Sequence, residues 1–434
     1  MILVLVLGCG GGKLEVCGCP EGIAGHAVTL EGQCSCLPLL EPTPSPTDAI
    51  LIELSDGASI DWGAIDAALA TSDVVVRFDP AGRWERMSVL RTDTGPHRLV
   101  LDGGAGDQRA VVEGILTPFD EGPRHRITVR GFEITGSRDK GIYWEAGDDV
   151  LIEDVVIHDN RGTPALNLQY SSRSGYPSRG FTVRSSHIYS QRGECLYIGG
   201  AEGEAQTSHT DVRIENNLIH DCLADLDTKH DAINVKDRLV DVRVEGNVVA
   251  HADWGIEVAS PGVYAHNLVL DTNREGFQVG DYFSPIHDMQ LSDNAVIRPG
   301  HDGFHLSTEQ ARATGMVLSH NTVIGAGEAG VLVGGGAGIE LSLDGIVVVD
   351  SRAGLDGWGS GDLDVRACRL AGNGVDLDRL FEGTATCEAA ASPDVIHPAG
   401  PDGLFFTSDD PWLVPGGARL PEPGSGVGAD QRSG

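Results

Sequence analysis

The 434-residue sequence predicts an all-β solenoid with a short capping helix in front of it. Three observations predict this class. Short alternating strands recur at steps of about 20 to 30 residues, an asparagine recurs at one place in the repeat, and the chain holds 59 glycines with only 5% aromatic residues. Frequent turns and few large side chains argue against an ordinary helical or α/β enzyme. Repeats of this length stack as coils that contact only their neighbours.

The start of the chain is an apolar run that ends in Val6, Leu7, Gly8 and Cys9. It resembles the lipobox of bacterial lipoproteins, in which the cysteine is lipidated. This resemblance implies an exported protein that is anchored at the cell envelope or cell surface through Cys9. The alternative is a short apolar leader, because the run lacks the basic residues that normally open a secretory signal.

The other eight cysteines fall into three local groups. An exported protein can keep such groups oxidised, whereas buried free thiols, or a small metal knot in the first group, are the alternatives. The groups are Cys17, Cys19, Cys34 and Cys36; Cys195 and Cys222; and Cys368 and Cys387.

The formal net charge is −33, from 31 basic and 64 acidic residues. This charge repels nucleic acid and anionic membranes, and it favours cations or neutral ligands as partners. A polyanionic ligand would need a bridging metal or a local arginine patch. After the start, no apolar run approaches the length of a membrane span, about 18 residues or more. We therefore expect a monomer that contacts a membrane only through a lipid anchor.

Composition divides the chain into five parts. Residues 1–39 hold the apolar start and a Cys-rich head, and the Pro-rich residues 40–48 form a semi-rigid spacer. Residues 49–123 contain the N-terminal cap and the first coils, and the segment SIDWGAIDAALATSDVVVRFDPAG predicts a short amphipathic helix, an apolar strand and a turn there. Residues 124–372 hold the repeats, and residues 373–434 form a capping segment and tail.

One element of the repeat is an alternating strand that runs into an asparagine and an apolar pair, as in VRIENNLIHD and VRVEGNVVAH. Stacked coils lie about 4.8 Å apart, so an inward asparagine at a fixed turn can satisfy backbone groups of the next coil. We interpret this column as a structural ladder. Its members are Asn217, Asn247, Asn267, Asn294 and Asn321.

A second short strand recurs through the repeats, with its central apolar residue at Ile142, Leu166, Leu196, Ile233, Ile256, Phe277, Phe304 and Val331. Together with the asparagine column and the helical cap, this pattern resembles the parallel β-helix repeats of the pectin lyase-like superfamily. The resemblance covers roughly residues 50–364 and implies a right-handed parallel β-helix. The segment PWLVPGGARLPEPGSGVGADQ also resembles the closing segment of many bacterial β-helix proteins. These motifs specify architecture more than activity.

Alternation along the second strand sends Ile233 and Val235 into the core and turns Asn234 and Lys236 outward. A column of hydrogen-bonding and aromatic groups suits an oligosaccharide, so we predict a polysaccharide or cell-surface glycan as partner, with Arg274 as an added anion clamp. A solvent-exposed polar strand face is the alternative. The outward column reads Tyr143, Asn167, Tyr197, Asn234, Glu257, Gln278 and His305.

Lys236 belongs to the next outward column, where it stands between Gly199 and Ala259 with room for a ligand. The longest step of the array, from Leu196 to Ile233, lies at this level, and inserted loops on one edge of a solenoid commonly build a binding rim. Aspartates near this rung offer hard oxygen ligands for calcium. The predicted calcium ligands are Asp227, Asp231 and Asp253.

In polysaccharide lyases of this fold, calcium or arginine neutralises a uronate carboxylate while a lysine or arginine removes the ring proton alpha to it. The resemblance therefore implies a calcium-assisted polyuronide lyase with Lys236 as base, assisted by Arg238 and Glu257. A lysine is normally protonated, so this role requires a bound cation or desolvation.

Three alternatives remain open. Lys236 is a salt-bridged residue of a non-catalytic carbohydrate-binding or structural module, or the chain is a carboxylate-pair glycoside hydrolase that uses Glu257 and Asp253, or it is a uronate epimerase. We interpret the three histidines of this region as turn or surface residues, since no histidine pair has the helical spacing of a zinc site. They are His230, His251 and His305.

Overall fold

The computed structural model describes residues 17–30, 32–89, 95–106, 108–117, 125–169, 178–199, 209–223, 230–280, 284–308, 312–335, 337–381, 387–389, 402, 404–407 and 410. These residues form a parallel β-solenoid with three long sheets, one short α-helix and one 3-10 turn, Arg379–Phe381. Each full coil contributes one strand to each sheet in turn, so the predicted all-β solenoid is confirmed.

Sheet 1 carries the second strands of the sequence repeat, and its neighbouring strands are parallel. The predicted column from Ile142 to Val331 is reproduced residue by residue in its register. Its strands are Met87–Ser88, Ile115–Leu116, Ile142–Trp144, Leu166–Leu168, Leu196–Ile198, Asp231–Val235, Trp254–Val258, Phe277–Gly280, Phe304–Thr308, Ala329–Gly335, Ala353–Gly357 and Val375–Leu377.

Sheets 2 and 3 complete each coil. Sheet 2 contains Ile50–Leu54, Val74–Phe78, Leu99–Asp102, Ile127–Arg130, Asp148–Glu153, Arg179–Arg184, Thr210–Glu215, Val240–Glu245, Gly262–Ala265, Met289–Ser292, Ala313–Ser319, Ile339–Asp344 and Gly361–Val365. Sheet 3 contains Arg83–Trp84, Gly104–Ala105, Gln108–Val112, Phe132–Thr135, Val156–His158, His187–Gln191, Leu218–Cys222, Val248–Ala250, Leu268–Leu270, Ala295–Ile297, Thr322–Ile324, Ile346–Val349, Cys368–Ala371 and Glu388–Ala389.

The capping helix spans Trp62–Leu69 and lies where the sequence predicts it. Asp61 caps it, because its Oδ1 accepts a hydrogen bond from the backbone N of Ala64 at 3.0 Å. Ile65 and Leu69 are buried against the first coils. Elsewhere in the stack, the apolar groups of each coil are covered by the next coil. At the N-terminal end of the solenoid, the helix covers them instead.

The asparagine column lies at the corner between sheets 2 and 3. The backbone N and the Nδ2 of each asparagine donate to the Oδ1 of the next, at 2.9–3.1 Å. The sequence pattern reads as one strand, but the chain bends at each asparagine and forms two strands on different sheets. The bend occurs because the preceding residue has a left-handed backbone, with φ of 52–66° at Asn216, Gly246, His266, Asp293 and His320.

The Cys-rich head is a hairpin of Gly25–Leu30 and Gln33–Pro38 that packs on the outer face of sheet 3. Val28, Leu30 and Leu37 are buried there beside Phe405 and Phe406 of the C-terminal segment. Residues 40–48 do not space the head away from the body as the sequence suggested. They run along sheet 2, where Glu153 accepts hydrogen bonds from the backbone N and Oγ1 of Thr43 at 3.2 and 3.0 Å.

Four disulfides close within the three predicted cysteine groups: Cys17–Cys34, Cys19–Cys36, Cys195–Cys222 and Cys368–Cys387. Disulfides of this number are typical of exported proteins. Within the described ranges, no helix has the length and apolar character needed to cross a bilayer. Cys9 and the closing segment from Pro411 onward lie outside the described residues.

Candidate functional site

The outer face of sheet 1 holds the predicted polar column. Register pairs Tyr143 with Asn167, and then each member with the next as far as His305. Much of this column is not the open stripe that the sequence suggested, because Asn167, Asn234 and Glu257 are each at most 2% exposed. Polar groups at this burial must bond to one another. Tyr197, Gln278 and His305 are partly exposed.

Asn234 is the centre of a cluster of carboxyl groups. Its Nδ2 lies 2.8 Å from Asp231 Oδ2, 3.0 Å from Glu194 Oε1 and 3.1 Å from Glu257 Oε2. An amide NH₂ group has only two hydrogens, so it cannot satisfy three ionised carboxylates. This arrangement favours a proton held among the carboxyl groups.

Electrostatics agree with a held proton. Burial raises the pKa of Asp231 well above its ordinary value, and the charge of Glu257 and a hydrogen bond with it add to the rise. Burial also raises the pKa of Glu194, against the opposing charge of Lys236 and the hydrogen bond from Asn234. Asp231 is therefore the member of the cluster whose protonated form the surroundings favour most.

Lys236 lies beside this cluster on the solvent side. Its Nζ is 3.7 Å from Glu257 Oε2 and 5.5 Å from the centre of the Tyr197 ring, and its side chain is 19% exposed. A Cβ on Gly199 would approach the Lys236 Cβ to 2.7 Å, so the glycine provides the space in which the lysine stem lies. The structure thus brings together Lys236, Asn234 and Glu257 of the predicted site.

Other predicted site residues lie apart from this cluster. Arg238 pairs with its neighbour Asp237 at 3.6 Å, and the guanidinium of Arg274 stacks 4.5 Å over the Trp254 ring. Asp253 Oδ1 accepts a hydrogen bond from Asn273 Nδ2 at 3.4 Å.

The predicted calcium ligands are not gathered by the part of the chain that the structure describes. Asp227 lies outside the described residues. Among the described ones, no group of three or more ligand atoms within 4.8 Å of one another includes Asp231 or Asp253. Asp231 faces the carboxyl cluster, whereas Asp253 lies in the turn before the next strand.

A second cluster on sheet 1 was missed by sequence reasoning. Donor atoms of Glu275, Asp302 and His305 all lie within 4.8 Å of one another. They border a cleft of about 320 Å³ that Trp358 and Arg379 also line. Burial opposes a charge on His305, but hydrogen bonds to Asp302 and Glu275 outweigh it and raise the pKa of the imidazole to about 9.

A sequence signal for both clusters exists at the position two residues before the central apolar residue of the second strand. That position holds Glu194, Asp231, Glu275 and Asp302. It lies at the entry to sheet 1, in the turn before the strand or at the first residue of the strand. Of the ionisable groups in the two clusters, His305 and Glu257 come from the outward column. The acidic residues at the entry to sheet 1 therefore contribute to the same face of the sheet as the outward column.

Comparison with known proteins supports the architecture. Residues 170–346 match the family model described as a right handed beta helix region. The chain is thus a right-handed parallel β-helix, as its resemblance to the pectin lyase-like repeats implied. None of the curated proteins matches this sequence.

Several solved structures are similar in shape. The catalytic unit of a GH87 alpha-1,3-glucanase from Streptomyces thermodiastaticus strain HF3-3 is 16% identical, with 81% of this chain and 72% of that chain covered and a TM-score of 0.47. An alginate lyase from Paenibacillus sp. str. FPU-7 is 15% identical over 73% of this chain and 98% of that chain, with a TM-score of 0.38. PfbA, a surface adhesin of Streptococcus pneumoniae, is 13% identical over 75% and 91%, with a TM-score of 0.41.

Proposed function

We propose that this protein hydrolyses a neutral polysaccharide on the outer face of sheet 1, with Asp231 and Glu257 as its acid–base pair. The observation that supports this most directly is the convergence of Asp231, Glu194 and Glu257 on one amide hydrogen-bond donor. Most glycosidases cleave the glycosidic bond with two carboxyl groups in different protonation states.

The chemistry divides between the two groups. Asp231, whose pKa is raised by burial, holds the proton that a leaving sugar oxygen needs. Glu257 is the second carboxyl group of the pair, and the Nζ of Lys236 lies 3.7 Å from its Oε2. Substrate reaches the pair from the side of Lys236 and Tyr197, both of which are partly exposed.

A neutral glycan is favoured by charge. The net charge of −33 repels a polyanion at long range, and the cluster adds three carboxyl groups to one lysine at the site itself. Neutral sugars interact with such a site through hydroxyl groups, for which buried carboxyl and amide groups are suitable partners.

The test is to incubate the purified protein with neutral α- and β-linked glycans and with polyuronides, and to measure new reducing ends and the ultraviolet absorbance of unsaturated products. We expect reducing ends from a neutral glycan and no unsaturated product. Glu257→Gln and Asp231→Asn should each lower kcat by about 10²- to 10⁴-fold. Glu340→Gln, a change at an exposed carboxylate of sheet 2, is the matched control and should leave kcat unchanged.

The second candidate is a calcium-assisted polyuronide lyase with Lys236 as base. It is supported by the position of Lys236, which lies over Gly199 beside the cluster and is partly exposed. An unsaturated product that disappears with EDTA and with Lys236→Ala would favour this lyase over the hydrolase. Glycan binding without any product would instead favour a carbohydrate-binding module.

An exported protein held at the cell envelope through Cys9 is the corresponding proposal for location. The lipobox-like start and the four disulfides support it. Cys9→Ser should move the protein from the membrane fraction to the soluble fraction after cell lysis. Unchanged fractionation would contradict lipidation at this residue.

A further inference from the structure

The cleft at the C-terminal part of sheet 1 contains a cluster that the proposed hydrolysis does not use. Glu275 and Asp302 occupy equivalent turns of successive coils, and His305 projects from the strand that follows Asp302. The strand Phe304–Thr308 is separated from Asp231–Val235 by two intervening strands. At about 4.8 Å per strand this places Asp231 and His305 roughly 14 Å apart along the stack.

The three side chains point at one another. His305 Nδ1 lies 3.1 Å from Asp302 Oδ2 and 3.7 Å from Glu275 Oε1. On the far side, His301 Nδ1 lies 3.6 Å from the same oxygen of Glu275. One imidazole nitrogen and two carboxylates within 4.8 Å is a donor set that a small divalent ion can draw together.

Two further observations indicate a built site. Glu275 is only 8% exposed, and its Oε2 is buried in the wall of the cleft without a hydrogen-bond partner. Asp302 is 2% exposed, and its Oδ1 accepts the backbone N–H of Ala329 at 2.9 Å. That bond fixes the carboxylate so that its other oxygen faces His305, which is the way in which outer partners orient metal ligands. A buried carboxylate oxygen without a partner costs free energy unless a cation or a donor satisfies it.

We propose that Glu275, Asp302 and His305 bind one divalent transition-metal ion, with a coordination position open to the cleft. The imidazole decides the class of ion, because nitrogen ligands suit zinc, cobalt and nickel, whereas calcium and magnesium take oxygen ligands. Ligand bonds of about 2.0–2.2 Å require the three side chains to close on the ion by small rotations. Trp358 also lines the cleft, with its ring 6.2 Å from that of His305.

The experiment uses the full chain after dialysis against EDTA, with ZnCl₂ as the probe in isothermal titration calorimetry and CoCl₂ as the probe in visible absorption. We expect Zn²⁺ binding at this site and a Co²⁺ spectrum of low coordination number, with no competition from Ca²⁺. His305→Gln and Glu275→Gln should each weaken Zn²⁺ binding by at least about 100-fold, since loss of an outer partner alone typically costs 10- to 100-fold.

The matched control is His287→Gln, at a histidine whose side chain is 53% exposed and pairs with Asp288 on another face. It should bind Zn²⁺ as the parent does. Thermal unfolding without metal checks that each variant is folded. Because two ligand variants are made, the proposal is still tested if one of them does not fold. The proposal is overturned if the parent binds no Zn²⁺, or if folded His305→Gln and Glu275→Gln bind it as tightly as His287→Gln. The metal test does not depend on hydrolysis, which is measured with the Asp231→Asn and Glu257→Gln variants. Failure of one proposal is therefore distinguishable from failure of the other.

Discussion

Asp231 is a carboxyl group in a place that disfavours its charge. It is 2% exposed, and the nearest groups include the carboxyls of Glu257 and Glu194. The folded protein therefore keeps a proton on Asp231 at pH values where an unfolded chain would release it. Free energy of unfolding falls as pH rises from the ordinary aspartate pKa of 3.8 towards the raised value.

Asp231→Asn removes this penalty and keeps a neutral side chain of the same shape. We expect its free energy of unfolding at neutral pH to increase by on the order of 1 kcal/mol, as is common where a site sacrifices stability for function, with a flatter dependence on pH. Urea unfolding at about pH 5 and about pH 8 measures both effects. Equal destabilisation at the two pH values would show that Asp231 is ionised in the fold.

At this scale the sequence located part of the site. Asn234, Lys236 and Glu257 could be predicted because alternation along a strand is fixed by backbone geometry. Glu194 and Glu275 could not be assigned in the same way, since they stand in turns whose side-chain directions follow no such period. The burial of Asn167 and Asn234 was also missed, because an outward position does not reveal what covers it.

The asparagine ladder acts at the scale of the structural element. Asn267 donates its backbone N–H to Asn294 Oδ1 at 3.0 Å and its Nδ2 to Val244 O at 2.8 Å, and its own Oδ1 accepts two bonds from Asn247. These groups are fully buried. Where the chain bends at the corner, some of its backbone groups lose the partners that they would have within a sheet. The asparagine ladder supplies hydrogen bonds to these groups.

Asn267→Ala should lower the free energy of unfolding by about 3 kcal/mol, because each buried donor or acceptor left without a partner costs about 1–3 kcal/mol. Chemical denaturation compared with the parent measures the loss. Asn273→Ala is the control, since Asn273 is exposed and its side chain donates a long hydrogen bond to Asp253, at 3.4 Å. Similar losses in both variants would contradict a special role for the ladder.

The strands of sheet 3 that follow the asparagines contain a further sequence signal, for a covered outer face. In NLIHD, NVVAH and NLVLD, the two residues that follow the asparagine are both apolar. One of each pair, such as Ile219 or Val249, faces the core, and the other, such as Leu218 or Val248, faces outward beneath the hairpin. A strand that is apolar on both faces predicts a covered sheet, although nothing in the pattern says which segment covers it.

At the scale of the whole molecule, docking of the N-terminal hairpin depends on a neutral histidine. His26 is buried, and its Nε2 donates to Ser185 O at 2.8 Å while its Nδ1 has no partner. Burial lowers the pKa of His26 to about 4, with the charge of Asp154 opposing and that of Arg109 assisting. The ring of His187, whose pKa is also lowered by burial, lies 5.2 Å away.

Because the docked pKa lies below the ordinary value of 6.5, docking is fully supported above about pH 6.5 and weakens as pH falls towards about 4. The effect of His26 reaches about 3 kcal/mol at the lower limit. The hydrogen-exchange protection factors of residues 17–38, which correct for the slower intrinsic exchange at low pH, should therefore fall on acidification. His26→Gln, which keeps a donor for Ser185 but does not titrate, should show a smaller fall, whereas His287→Gln should behave as the parent. Protection factors that are independent of pH would contradict this account.

The pairing of the N-terminal hairpin with Phe405 and Phe406 also bears on how the protein is made. Phe405 donates its backbone N–H to Cys36 O at 3.0 Å, and the two phenylalanines lie beside the hairpin on sheet 3. During synthesis the hairpin leaves the ribosome before the coils, and Phe405 emerges only after them. Part of the apolar exterior of sheet 3 therefore stays uncovered until Phe405 has been made, and in that interval a nascent chain of this protein is more exposed to aggregation.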